Sequence, residues 1–440
     1  MKVVNGKRQA ALFTTEVEGP FAVVVFNGPV EAELSYRIPE RLAGRVRPGQ
    51  RVRVPLGRAN AVSVGYCVRV EETAEVEPGR VKDVLDALDD PPLIGVKILE
   101  LTRWMAAYYA CSWGQALEAA LPAGVKKQAG TRLGTFLVVP EEVRASLPTL
   151  SLPPKQTEIL AILSQSTVPL SVADVCRLAH CTTGPIAALK TRGLIHTLRR
   201  RISRLPMPAA FEMADEPPAP VLTGEQREVL DKVSASIDAG GFSAFVLHGV
   251  TGSGKTEVYL SAIEHVVAQG REAIVLVPEI SLTPQTIRRF QRRIPRVAVL
   301  HSHLSDAERH HHWRSIASGE VPVVVGARSA VFAPARKLGL IVVDEEHEST
   351  FKQETAPRYH GRDVAVKRAQ LEGVPIVLGS ATPALETWHN VERGRYTRLE
   401  LPRRVNNRPM PRVQLIDLRH EKPESGKPSG ALSPTLRTAM

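Results

Sequence analysis

The chain has 440 residues, a formal net charge of +11, 43% apolar and 23% charged residues. That length supports about two to four domains with cores of their own, while the longest apolar runs, such as Phe21–Phe26, are far too short to cross a bilayer. Cys67, Cys111, Cys176 and Cys181 form no Cys-x-x-Cys pair and the N-terminus lacks a signal peptide's apolar core, so the expectation is a reduced, cytoplasmic protein with a polyanionic partner.

Residues 1–20 are weakly patterned and are expected to fray. From Phe21 short β-rich runs follow (Phe21–Phe26, Ala32–Ile38, Arg51–Pro55, Val62–Glu71), broken by Pro and Gly as in a small barrel or sandwich. A helix then carries Ile98, Leu101, Met105 and Tyr108 on one stripe, and this first domain is placed at 21–126. Trp104, Tyr108, Tyr109 and Trp113 read as core first and as a base-stacking platform second. Residues 127–153 are expected to be a linker, because prolines crowd 139–154. Within 154–206, helical patterns at Lys155–Leu163, Val172–Ala179 and Thr183–Arg192 precede a strand-like basic segment ending in Arg199, Arg200 and Arg201. Three helices and a basic hairpin is the order of a winged helix, and that arginine cluster is the candidate DNA contact. A Pro-rich linker covers 207–221, strands alternate with helices over 222–420 as in a doubly wound parallel sheet, and 421–440 is a polar tail.

The chemistry concentrates in that last domain. Gly249, Val250, Thr251, Gly252, Ser253, Gly254, Lys255 and Thr256 fit the phosphate-loop pattern at every fixed position, after an apolar strand and before a helix. Glycines let the backbone N–H groups approach phosphate oxygens, Lys255 supplies a point charge, and Thr256 offers a hydroxyl to Mg²⁺. Asp344 and Glu345 follow the apolar run Leu340–Val343, which places two carboxylates at the sheet's C-terminal edge. Asp344 is the candidate Mg²⁺ ligand and Glu345 the residue that polarises an attacking water. Gln226 is the candidate adenine contact. His301, His303 and His310–His312 read as a packed or solvated face rather than a metal site, since Ser305–Glu308 is a capping box opening a helix.

These segments, with Val323–Ser329 and Ile376–Pro383, resemble the first RecA-like lobe of a superfamily-two motor. The segments 249–260, 277–286, 326–330, 344–347, 351–363 and 379–387 are most similar to the PriA family of replication restart helicases. The resemblance implies an ATP- and Mg²⁺-dependent 3′→5′ DNA helicase, cytoplasmic and nucleoid-associated, that acts on forked and single-stranded DNA. It also implies primosome proteins and single-strand binding protein as partners. By the same resemblance Ser35, Gly57 and Lys82 match a 3′-end pocket. Ser35 stands where the family often has Asp. Arg328 and the aromatic-rich segment 351–363, with Arg358, Tyr359 and His360, become DNA contacts. A second lobe and a cysteine-rich Zn²⁺-binding insertion have no counterpart here, so zinc is expected for the family but its ligands are not in this chain. Hydrolysis by this chain alone is accordingly expected to be slight. The rival readings are a non-enzymatic fork-binding scaffold and another superfamily-two translocase.

Overall fold

The structure, a computed structural model, describes residues 15–28, 32–76, 81–147, 150–166, 170–203, 220–294, 296–405, 413–417, 419, 433 and 435–436, with backbone alone at 15, 76, 132, 133, 146 and 199–203. The linker expected at 207–221 and the tail at 421–440 lie almost wholly outside the described residues.

Strands β1 (Thr15–Val25), β2 (Leu34–Arg37), β3 (Arg51–Leu56), β4 (Ala61–Val76) and β5 (Asp86–Ala87) form one antiparallel sheet in the order β2-β1-β4-β3-β5. The continuous apolar run of β1 is explained by burial on both faces. Ala22 and Val24 pack into a small core with Tyr36, Val52, Val54 and Cys67, whereas Val23 and Val25 turn to the helices beyond. Those helices are α1 (Val96–Tyr108), α2 (Trp113–Ala120) and α3 (Ala123–Lys127). A capping box between Ser112 and Gln115 starts α2. The segment expected to fray differs from the sequence reading, for β1 already begins at Thr15 and pairs with Val76 of β4.

The second unit contains β6 (Thr131–Val138), α4 (Glu141–Ser146), α5 (Pro154–Gln165), β7 (Leu170–Ser171), α6 (Val172–Leu178), α7 (Thr183–Thr191) and β8 (His196–Ser203). Its three-stranded sheet has the order β7-β6-β8. Residues 127–153 are therefore not a plain linker: β6 is the central strand, paired with β8 from Thr131↔Ser203 to Val138↔His196. Pro140 caps α4, and Pro153 and Pro154 open α5, so these prolines spare the strand. Helices α5 to α7 close over Leu137, Ile159, Leu160, Val175, Ile186 and Leu189 as a winged helix.

The third unit runs α8 (Gly224–Ala239), β9 (Ala244–Gly249), α9 (Lys255–Ala268), β10 (Glu272–Leu276), α10 (Pro284–Arg293), β11 (Val297–Leu300), α11 (Asp306–Ser318), β12 (Val323–Gly326), β13 (Leu338–Val343), α12 (Gly361–Glu372), β14 (Ile376–Ser380), α13 (Leu385–Glu392) and β15 (Thr397–Leu401). The sheet is parallel, seven-stranded, and ordered β11-β12-β10-β13-β14-β9-β15. Along β10 and β13, Ile274, Leu276, Ile341 and Val343 face one core while Ala273, Val275, Leu340 and Val342 face the other. A sheet covered on both faces demands such unbroken apolar strands.

The first and third units share one core. Helices α1 to α3 bury Leu101, Met105 and Leu117 in the cluster that holds Val364, Ala365 and Ala369 of α12. The approach is close: a Cβ on Gly124 would stand 2.1 Å from the Asp306 carbonyl oxygen of α11, and the His310 ring nitrogen Nδ1 lies 2.7 Å from the Ala129 carbonyl oxygen. Gly124→Ala should therefore destabilise by about 1–3 kcal/mol, the range for overpacking against fixed backbone. Thermal unfolding reads this out; an unchanged midpoint would mean that the contact between α3 and α11 is not held in solution.

Candidate nucleotide and nucleic-acid site

The strand order decides where the chemistry meets. Strands β13, β14 and β9 are neighbours, so the turns that follow them emerge side by side at the sheet's C-terminal edge. After β9 the chain curls through Gly252 and Gly254 at φ +82° and +84°, a region that L side chains rarely adopt. Gly254 then caps α9 without any side-chain bond, which leaves the first-turn N–H groups facing the loop. Lys255 is buried; its Nζ donates to the Gly249 carbonyl at 2.9 Å and stands 3.9 Å from Glu345 Oε1. Ser253 Oγ is buried with no hydrogen-bond partner among the described residues, and Thr256 is half-buried. Val250, Thr251 and Gly252 form the outer rim. A positive, partly desolvated cradle with a spare hydroxyl fits a phosphate chain.

Gln226 is tied into the loop itself. Its side-chain oxygen accepts from Thr223 N at 2.9 Å and its amide donates to the Ser253 carbonyl at 2.9 Å. Both polar ends are engaged and the residue is 3% exposed. Gln226 braces the loop from below.

The four residues after β13 go four ways. Asp344 N donates to the Leu276 carbonyl, and the Asp344 carboxylate accepts from Glu345 N at 3.1 Å. Burial, with Glu345 beside it, pushes the Asp344 carboxyl up to about 6. Glu345 has φ +44°, unusual for a residue with a Cβ; the turn aims its carboxylate back towards Lys255 on one side and His347 Nδ1, at 3.7 Å, on the other. His347 Nδ1 lies 2.7 Å from Ser380 Oγ, which also accepts from Thr382 N. Glu346 points inward with no exposure. It accepts from Arg362 Nη1 (3.0 Å), Ala384 N (2.7 Å) and Thr387 Oγ1 (2.8 Å). Beneath them Tyr259 of α9 is buried so close to β14 that a Cβ on Gly379 would stand 1.4 Å from its hydroxyl. Only glycine fits there.

The aromatic-rich segment is more deeply packed than a binding loop. Phe351 and Tyr359 are each 1% exposed, and Tyr359 meets Phe332 edge-on at 5.5 Å. Tyr359 therefore offers no face to a base, which corrects its expected role as a DNA contact. Arg328 Nη1 donates to the Thr350 and Lys352 carbonyls at 3.2 and 2.8 Å. Arg358 is exposed, with Nε donating to the Glu354 carbonyl. The His360 side chain is half-buried, and its backbone N–H donates to the Tyr109 hydroxyl at 3.1 Å. Lys352 Nζ lies 5.5 Å from the centre of the same Tyr109 ring. The end of α1 thus touches the segment directly. Trp104 stacks on Tyr108 at 4.8 Å, with Tyr108 62% exposed.

In the first domain Lys82 Nζ donates to the Gly57 carbonyl at 2.6 Å, and Tyr36 Oη donates to the Pro55 carbonyl at 3.2 Å. Two of the three pocket candidates are thus in contact. Ser35, half-buried on β2, neighbours Tyr36 and by strand alternation faces the other side. Arg199, Arg200 and Arg201 lie on β8 opposite Thr135, Gly134 and Leu133, and their side chains are outside the described residues. Sequence reading missed Arg362, Thr387 and Ala384, whose importance comes only from reaching Glu346. Among the described residues no group of three or more His, Cys, Asp or Glu is placed to hold a metal, and no helix is long and apolar enough to cross a membrane.

Comparison with known proteins agrees with this geometry. Residues 23–122 match the model of the PriA 3′ DNA-binding domain, and residues 223–391 match that of DEAD/DEAH-box helicases. The replication restart protein PriA of Bacillus subtilis is 36% identical over 461 residues, covering 89% of this chain and 56% of that protein. Its counterpart in Haemophilus influenzae is 33% identical over 408 residues, covering 90% and 54%. That of Synechocystis is 40% identical over 299 residues, covering 67% and 35%. The chain spans about half the length of the first two.

A raised carboxyl has a signed consequence. Asp344 moves from 3.8 to about 6 on folding, so the folded form favours its proton. The contribution is neutral below about pH 3.8, turns into a growing cost between about 3.8 and 6, and stays at its full size above about 6. Asp344→Asn should therefore stabilise the ligand-free chain by about 3 kcal/mol at pH 7.5 and by little at pH 4. Paired unfolding curves at the two pH values check it; an equal gain at both would remove the titration from the explanation.

Proposed function

The chain belongs to the PriA family, and on that premise we propose that it is the DNA-binding and first motor portion of an ATP-dependent 3′→5′ DNA helicase of replication restart. The observation that carries the reading is the convergence of Lys255, Asp344 and Glu345 at one sheet edge, with Lys255 Nζ 3.9 Å from Glu345 Oε1, in a chain that also matches a 3′ DNA-binding domain. A DEAD/DEAH-box domain implies ATP and Mg²⁺.

The backbone N–H groups from Gly252 to Thr256 donate to phosphate oxygens, and Lys255 exchanges its present partner, the Gly249 carbonyl, for the terminal phosphates. Thr256 and Asp344 are the residues to hold Mg²⁺, which supplies charge neutralisation when bound. Glu345 orients a water and takes its proton. Its strained backbone is the kind of local cost that persists where function fixes a side chain. His347 and Ser380 tie that catalytic turn to the turn after β14.

DNA is the partner the domains support. We assign 3′-end capture to the first domain around Gly57 and Lys82, and strand contact to Arg358 and His360, with Arg199–Arg201 of the wing as the electrostatic contribution. The aromatic-rich segment then transmits DNA occupancy to the ATP carboxylates through Arg362 and Glu346. The domain division follows as 3′-end domain, winged helix reaching back to Thr131, and motor lobe from Leu222. Forked DNA, primosome proteins and single-strand binding protein are the proposed partners, in the cytoplasm at the nucleoid.

Titration calorimetry with ATP and Mg²⁺ tests the reading. Lys255→Ala should abolish measurable binding, while Glu345→Gln should bind ATP and lose whatever hydrolysis the native chain shows. Unchanged affinity in Lys255→Ala would place the nucleotide elsewhere; hydrolysis surviving in Glu345→Gln would remove that carboxylate from the chemistry.

A further inference from the structure

Beyond β15 the chain turns back along the phosphate loop. Val250 N donates to the Leu401 carbonyl at 3.2 Å, and Val405 N donates to the Gly252 carbonyl at 3.0 Å, so residues 401–405 are fastened to the loop at both ends. Arg403 reaches the first turn of α8, its Nε donating to Glu225 Oε1 at 2.7 Å. Between these anchors the Arg404 stem runs beside Gly252, with Cγ 3.9 Å and Cδ 4.0 Å from where a Cβ would stand. At Gly254 the same added Cβ would meet Gln226 Nε2 at 2.2 Å and Val405 Cγ2 at 3.3 Å. Strap and brace close on the loop together.

The strand order gives the site a direction. In β13-β14-β9-β15 the phosphate loop after β9 has the Asp344 and Glu345 turn on one side and the strap after β15 on the other. The terminal phosphate belongs on the carboxylate side, where Lys255 and Glu345 stand, so the nucleoside leaves on the strap side. Gln226 is tied into the loop there, its oxygen accepting from Thr223 N and its amide donating to the Ser253 carbonyl. On that side the strap carries two planar cations, Arg403, which is paired with Glu225, and Arg404, which is half-buried with its stem along the loop and has a guanidinium suited to an aromatic base.

We propose that residues 401–405 form a strap over the nucleoside end of the nucleotide site, and that Arg404 stacks its guanidinium on the purine base and so discriminates nucleotides from bare polyphosphate. The proposal rests on the nucleotide reading above. It assigns Arg404 a binding role that leaves the phosphate-holding groups untouched.

The test is a calorimetric titration of ADP and of inorganic tripolyphosphate, each with Mg²⁺, into the native chain, Arg404→Met, Arg404→Lys and Lys255→Ala. Methionine keeps an apolar stem beside Gly252 and removes the charged plane; lysine keeps the charge without the plane. Both Arg404 variants should melt with the native chain, bind ADP roughly tenfold more weakly, and bind tripolyphosphate unchanged. Lys255→Ala should weaken both ligands. Unchanged ADP affinity in the Arg404 variants, or equal loss for ADP and tripolyphosphate, overturns the strap's role while leaving the nucleotide site standing. If Lys255→Ala alters neither ligand, the nucleotide reading itself falls, and the strap with it.

Discussion

Glu346 carries a carboxylate with no exposure in the middle of the motor lobe. A charge in that position is tolerable only if it is fully met, and it is met from three directions: Arg362 at the start of α12, the Ala384 N–H, and the Thr387 hydroxyl of α13. Its own N–H is spent on the Gly379 carbonyl of β14. Arg362 is itself buried, and its other nitrogen Nε donates to Asp363. Removing one member of such a pair leaves an uncompensated charge inside, at about 3–5 kcal/mol. The turn with Asp344 and Glu345, the head of α12 and the turn after β14 are therefore held in one arrangement. Glu345 takes its unusual backbone angle because its neighbour is fixed inward while it must face Lys255.

The constraint extends outward along the chain from Arg362. His360, two residues earlier, gives its N–H to the Tyr109 hydroxyl, and Lys352 lies over the Tyr109 ring. Burial pushes that phenol up to about 12, so it remains neutral and able to accept. Tyr109 closes α1, a helix of the domain that matches the 3′ DNA-binding model. From that domain to the acidic turn the path alternates hydrogen bonds with short stretches of chain: Tyr109 to His360 by a bond, His360 to Arg362 along the chain, Arg362 to Glu346 by a bond, and Glu346 to Glu345 along the chain. Packed links of this kind can carry coupling when an element has two arrangements that both sites bias.

What was legible in the sequence was what repeats locally. Apolar runs gave the strands of the motor sheet, and residues directly after them gave the phosphate loop and the acidic quartet. Partnerships across distance were not legible. The strand Thr131–Val138 was read as linker because prolines follow it and its partner β8 begins near residue 196. By residue type Gln226 and Tyr359 suggest contacts, but packing makes the first a brace and buries the second. Arg362 sits 16 positions from Glu346, and nothing local marks it. Arg404 looks like one more surface arginine until β15 is placed beside β9.

If nucleotide and DNA bind one connected structure, its link is the Arg362–Glu346 pair. Reciprocal linkage tests it most directly: ATP affinity is measured with and without a saturating single-stranded oligonucleotide, in the native chain and in Arg362→Lys. Lysine neutralises Glu346 but cannot also span to Asp363 as the guanidinium does. The account predicts that the oligonucleotide shifts ATP affinity about fivefold or more in the native chain. In Arg362→Lys, ATP affinity without DNA should be retained and the shift should collapse towards one. The same shift in both proteins would contradict it.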